Sequence, residues 1–163
     1  MRMTQLLLAL VLALMITSVG CHIRAADAKK PPEKTLYDRI GGEAVIVVVV
    51  DDLVARAVAD PAVNFTLKGT PHEWQPTDAN VQRLKERLVQ FLGTATGGPQ
   101  RYEGENLRTA HRGMRISKSE FDAFLKDFQA SLQQANVPEK EQKELLDIFK
   151  SARGPIIEDA ATR

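Results

Sequence analysis

The sequence predicts an all-α domain, and three observations carry that reading. Apolar residues recur at helical spacing through several long segments, helix-start signals stand directly before the segments that follow residue 76, and the Gly–Pro clusters fall between segments instead of inside them. The chain has 163 residues, 44% of them hydrophobic and 26% charged, which is enough for one sizeable core.

The first segment lies outside that core. Arg2 and the apolar run from Leu6 to Ile16, too short for a comfortable membrane span, read as a secretory signal over residues 1–20. Ser18–Val19–Gly20–Cys21 resembles the lipobox of bacterial lipoproteins, in which Cys21 would carry lipid and form the only contact with a membrane. Ala26–Asp27–Ala28 offers a rival, ordinary cleavage site. Either way the product is exported, as a membrane-anchored lipoprotein or a free extracytoplasmic protein. Cys21 is the single cysteine, so no internal disulfide forms. Residues 21–34, polar and containing Lys29–Lys30–Pro31–Pro32, read as a flexible tether, and residues 35–163 as the domain.

Residues 43–60 pose a conflict. Val45–Ile46–Val47–Val48–Val49–Val50 is a β-branched run that propensity assigns to a buried strand. No Gly or Pro interrupts the chain between Gly42 and Pro61, however, and Asp51 to Val58 continues in a helix-compatible pattern, so the length favours one buried helix. Pro61 then permits a short helix over 62–67, and residues 68–76, rich in Gly and Pro, form a loop. Thr77 or Asp78 caps a helix whose Val81, Leu84, Leu88, Phe91 and Leu92 share one face and which stops before Gly97–Gly98–Pro99. A short helix over 106–112 carries His111. Ser117–Lys118–Ser119–Glu120 is a capping box ahead of Phe121, Phe124, Leu125, Phe128 and Leu132. Asn136–Val137–Pro138–Glu139 repeats the device ahead of Leu145, Leu146, Ile148 and Phe149, with Gly154–Pro155 as the stop.

Several chemistries drop out. The chain has no dinucleotide or phosphate loop, no Cys/His zinc spacing and no nucleophile elbow. It holds 22 Lys+Arg against 21 Asp+Glu; removal of the signal takes Arg2 and no acid, leaving 21 of each, and no basic block points to nucleic acid. Of the three histidines, His22 lies in the tether, His72 in the Pro-rich loop, and His111 between two core-building helices. A haem iron needs a neutral imidazole with apolar side chains over the macrocycle and cations near its edge. His111 fits the first need. Leu107, Met114, Ile116, Phe121 and Phe124 can line its side, with Leu84, Leu88 and Phe91 facing from the preceding helix, although each of these is equally at home as plain core.

The run Leu36–Tyr37–Asp38–Arg39–Ile40–Gly41–Gly42–Glu43–Ala44, then Ala59–Asp60–Pro61, Gly97–Gly98–Pro99, Tyr102, Gly104 and Leu107–Arg108–Thr109–Ala110–His111 resembles the group I truncated haemoglobins. The resemblance continues through Ile116, the capping box and Val137–Pro138. It implies a truncated globin-like, two-over-two helical arrangement enclosing haem b, with His111 as the proximal ligand of the iron. It also places Arg87 where a cation meets a haem propionate, a position at which a solvated helix charge is the competing reading.

The departures fall on the distal side. Where the family commonly carries a hydrogen-bonding Tyr this chain has Val54; the Phe packed on haem corresponds to Leu67, or to Phe65 if a small gap is allowed; the next distal positions are Leu84 and Leu88. Between them lies an insertion with Pro71, His72, Trp74 and Pro76. A distal donor contributes about 1.5–3 kcal/mol to held oxygen, so its loss implies oxygen release roughly 10–100-fold faster. His72 or Trp74 folding over the iron would restore a donor. The leading expectation is a globin that reversibly binds a diatomic gas: oxygen, nitric oxide or carbon monoxide. The rivals are a haem-dependent nitric oxide dioxygenase or peroxidase, the former needing a reductase partner, and a globin-fold interaction module without haem.

Overall fold

The computed structural model describes residues 33–158, all helix, turn and loop with no strand among them. The expected signal, the lipidation site Cys21 and the rival cleavage at Ala28 lie outside the described residues. No helix among the described residues is long and apolar enough to cross a membrane.

The domain opens on α1 (Leu36–Ile40). Thr35 caps it reciprocally, its Oγ1 accepting from the Asp38 N–H at 3.1 Å while the Asp38 carboxylate accepts from the Thr35 N–H at 3.2 Å. Gly41 ends the helix with φ +102°, where an added Cβ would stand 2.8 Å from the Val45 side chain. Only glycine fits there without displacement.

The valine run is helical, within α2 (Gly42–Ala59). Its buried residues are Ile46, Val49, Val50, Leu53, Val54 and Ala57, whereas Val47, Val48 and Val58 are exposed. That spacing is a helical face, not the alternation of a strand. β-Branched side chains lower helix propensity by only a few tenths of a kcal/mol each, and burying one contributes about 1.5–3 kcal/mol, so packing decides the conformation.

Asp60 caps a 3-10 turn, Pro61–Val63, with Oδ1 accepting from the Ala62 N–H at 2.8 Å. The longer helix expected over 62–67 does not form. Asn64 and Leu67 take positive φ of 50° and 54°, which ends any helix there. Thr77 caps α3 (Asp78–Ala95), as one of the two expected caps. Beyond α3, the Gln100 side chain lies against Gly93 and Gly98, where an added Cβ would come within 2.3 and 2.5 Å of its Oε1. Gln100 Nε2 donates to the Tyr37 hydroxyl at 3.1 Å and to Glu43 at 3.0 Å, tying the Gly–Gly–Pro segment to the start of the domain.

The short helix α4 (Leu107–His111) precedes α5 (Lys118–Gln134), whose Ser117–Glu120 capping box is present in full. The second expected box is absent. Asn136 instead closes α5 in the left-handed region at φ +54°, its N–H bonding to the Gln133 carbonyl and that of Val137 to the Leu132 carbonyl, so it is spent before α6 (Glu139–Ser151) begins at Pro138. Nor does Gly154–Pro155 simply stop the chain: α6 ends at Ser151 and a further turn, α7 (Arg153–Ile156), runs through it, Pro155 lying in a first turn where its missing N–H costs nothing.

Helix α2 packs against both α3 and α5, and α5 against α6. This gives the two pairs of a two-over-two arrangement. Phe149 sits at the junction with Phe91, Phe124 and Phe128 around it at ring separations of 5.7, 5.7 and 4.4 Å. Arg39 pins α1 to α6 through Glu141 at 2.9 Å and through Glu144.

Candidate functional site

His111 ends α4. The helix is only five residues long and depends on Asn106, whose Oδ1 accepts from the Thr109 N–H at 3.0 Å. The His111 Nδ1 lies 2.7 Å from the Leu107 carbonyl oxygen, and an N–H at Nδ1 satisfies that pairing. Nε2 is then left as the lone-pair nitrogen, with no hydrogen bond to a described residue. The side chain is half-buried.

Helix α4 packs most closely on α7. The space between α3 and α4 is the candidate cleft, because the apolar side chains bordering it are only half covered. Leu88 and Phe91 on α3, Leu107 on α4, Ile116 after it and Phe124 on α5 are half-buried and rest against the core on one side only. Leu84 is half-buried as well, and Met114 shares this exposure in the turn beyond His111. The other expected wall residues are placed differently. Phe121 is buried beneath the Arg153 guanidinium, 5.5 Å from its ring centre. Val54 is buried in α2. Arg87 is exposed and donates to Gln90 Oε1 at 2.9 Å.

The segment ahead of α3 separates its two candidates for the residue packed on haem, Phe65 and Leu67. Phe65 packs against the core and meets the Trp74 ring at a tilt of 53° with centres 5.1 Å apart, whereas Leu67 occupies the strained turn. Of the pair, Phe65 is the inward side chain. The Trp74 indole N–H donates to the Phe65 carbonyl at 2.8 Å and is occupied there. His72 lies over Gly113, the second residue after His111: a Cβ added at Gly113 would stand 2.7 Å from its Nε2.

One residue near the site carried no sequence signal. Glu158 accepts from the backbone N–H of Gly113 at 2.8 Å and of Arg115 at 3.0 Å, clamping the turn that follows His111. Those two N–H groups, Gly113 first, hold its carboxyl below the usual range against the opposing effect of burial, and the positive charge of His72 adds to the lowering. Because 45 residues separate donor and acceptor, no local motif announces the pair.

Comparison with known proteins bears on all of this. The family model for bacterial-like globins matches residues 35–157. A group 1 truncated hemoglobin of Mycolicibacterium paratuberculosis is 31% identical over 84% of this chain and 91% of its own length. The chain is a member of the truncated haemoglobin family. Solved structures agree with the assignment: the hemoglobin of Chloroflexus aurantiacus, 31% identical, superposes with a TM-score of 0.64 over 77% of this chain and all of the other. The truncated hemoglobin of Tetrahymena pyriformis in its Fe(III) form, 25% identical, gives 0.66 over the same shares.

The cofactor of a truncated haemoglobin is haem b, and the residues present fit it. The half-buried apolar side chains flanking the α3–α4 cleft suit the faces of a macrocycle, and an imidazole with Nδ1 already bonded and Nε2 unpaired suits an axial ligand.

Proposed function

We propose that this truncated haemoglobin binds a diatomic gas at haem held by His111 Nε2, with a distal side that offers no hydrogen bond. The observation that carries the reading is the pairing of His111 Nδ1 with the Leu107 carbonyl, at 2.7 Å, which leaves Nε2 unpaired among the described residues. When bound, haem supplies an iron centre able to take oxygen, nitric oxide or carbon monoxide. The chain supplies the rest. The Leu107 carbonyl fixes the tautomer and ring orientation of His111. Leu84, Leu88, Phe91, Leu107, Ile116 and Phe124 exclude water from the faces, and Arg87, exposed on α3, is free to turn toward a propionate.

Among the distal residues Val54, Leu67, Leu84 and Leu88, none has a side-chain donor. Trp74 has one, already given to the Phe65 carbonyl. A pocket of this kind favours carbon monoxide and nitric oxide over prolonged retention of oxygen. In this reading the protein acts outside the cytoplasm, tethered by residues 21–34 to a lipid on Cys21, and a reductase is the partner that would keep bound haem ferrous.

The test is spectroscopic. Purified protein with haem should show a Soret band typical of imidazole ligation, and His111→Ala should lose that signature and regain it on addition of free imidazole. A His111→Ala spectrum identical to wild type would sink the assignment of the ligand. A wild type that takes up no haem would sink the function.

A further inference from the structure

We propose that the insertion at residues 68–76 is a strap closing one edge of the α3–α4 cleft, with His72 as its latch on Gly113, and that it governs how long haem stays. The inference rests on haem being held in that cleft.

The insertion is internally tied at every level. At its base, Trp74 gives its indole N–H to the Phe65 carbonyl at 2.8 Å and its backbone N–H to the Thr66 carbonyl at 3.1 Å. Along its length, the Lys68 N–H bonds to Asn64 Oδ1 at 3.0 Å, the Gly69 N–H to Glu73 Oε2 at 3.1 Å, and the His72 N–H to Thr70 Oγ1 at 3.1 Å. Asn80 Nδ2, in the first turn of α3, bonds to the Gln75 carbonyl at 3.0 Å. A loop held this way has already lost most of the conformational freedom that closing would cost.

Its two ends of contact define what it spans. The base joins α3 directly, and the tip rests on the turn after α4, so the loop runs from one wall of the cleft to the other. Gly113 is the seat because it has no side chain: with φ +81° and the His72 imidazole against it, any Cβ would enter that ring. Glu158 holds the seat in place through the Gly113 and Arg115 N–H groups. A planar cofactor leaving by this edge must first lift His72 away from the turn two residues beyond its own ligand.

The experiment follows transfer of haem from ferric protein to excess apomyoglobin. His72→Ala should release haem about tenfold faster than wild type, the equivalent of losing one imidazole's contact, and Gly113→Ala should do the same by pushing the ring off its seat. His72→Gln, which keeps the reach, should lie closer to wild type. Thermal unfolding of the haem-free His72→Ala protein should match that of haem-free wild type, since the side chain is exposed and outside the core. In wild type, amide exchange over residues 68–74 should slow when haem binds. Haem loss from His72→Ala within twofold of wild type, or amide exchange in the loop indifferent to haem, overturns the strap while leaving the haem site standing. Failure of wild type to bind haem overturns both.

Discussion

The imidazole Nδ1 of His111 lies 2.7 Å from the carbonyl oxygen of Leu107, one turn earlier on the same helix. The orientation of the imidazole is therefore set by the backbone of α4, and α4 is set by its cap. Removing that cap with Asn106→Ala should cost about 1 kcal/mol of local stability, which corresponds to roughly fivefold weaker haem binding. Titration of haem into the variant, read at the Soret band, checks this. Unchanged affinity would mean that packing on α7 alone orients the ligand.

Val54 is buried on α2, and in the proposed reading it stands where a tyrosine hydroxyl would donate to the bound gas. Val54→Tyr should slow oxygen dissociation roughly 10–100-fold in stopped-flow measurements. The larger ring must displace neighbours, so the same variant should lose about 1–3 kcal/mol in chemical denaturation. If stability falls with no change in oxygen release, the hydroxyl does not reach the ligand side.

Asp127 carries a pH signature. Burial pushes its carboxyl up, the negative charges of Asp60 and Asp52 add to the rise, and Arg56 opposes it. Its buried Oδ2 has no hydrogen-bond partner among the described residues. The folded state thus holds this proton more tightly than the unfolded chain does. The stability it confers is complete below the ordinary aspartate range and is lost as pH rises through the raised folded value. Asp127→Asn should remove that loss, so its advantage over wild type in urea unfolding should grow as pH rises above the ordinary aspartate range. Comparing the two proteins at each pH cancels Glu120, Asp122, Glu141 and Glu158, all lowered on folding and all contributing the opposite slope. An advantage that stays constant with pH would contradict the prediction.

Gly41 has φ +102° and no room for a Cβ beside Val45, whereas Gly154 has nothing within 4 Å of the corresponding position. Gly41→Ala should destabilise by about 1–2 kcal/mol in urea unfolding, and Gly154→Ala should stay within about 0.5 kcal/mol of wild type. Equal effects at the two sites would show that backbone entropy, and not the local fit, dominates.

Much of this architecture is legible in residue order because the decisive interactions are local or periodic. The Ser117 box, the Thr77 cap and the face formed by Ile46, Val49, Val50 and Leu53 can all be read within one or two helical turns. Length alone settled the valine run, since no strand of ordinary size spans the interval from Gly42 to Pro61. The same locality explains the errors. Asn136 looks like a helix start when read forward, but a residue in the left-handed region closes the preceding helix, and only the backbone reveals which role it takes. Asn64 and Leu67, both at positive φ, turn the chain ahead of Lys68 and leave Phe65, the alternative to Leu67, as the side chain packed on the core, which the residue order left open. Glu158 gripping Gly113, and His72 resting on it, join segments far apart in sequence, where no periodicity reaches.

Thr35 stands against Gly97, and the Tyr37 N–H bonds to the Thr96 carbonyl at 2.9 Å. The polypeptide therefore enters the domain at the C-terminal end of α3. The loop bearing His72 joins the other end of that helix, whose 18 residues extend about 27 Å. A surface, tag or carrier attached through the N-terminus pulls on a point one full helix length from the edge where haem would enter and leave. Immobilising the protein that way should leave cofactor exchange unhindered, whereas attachment near Glu73 would obstruct it.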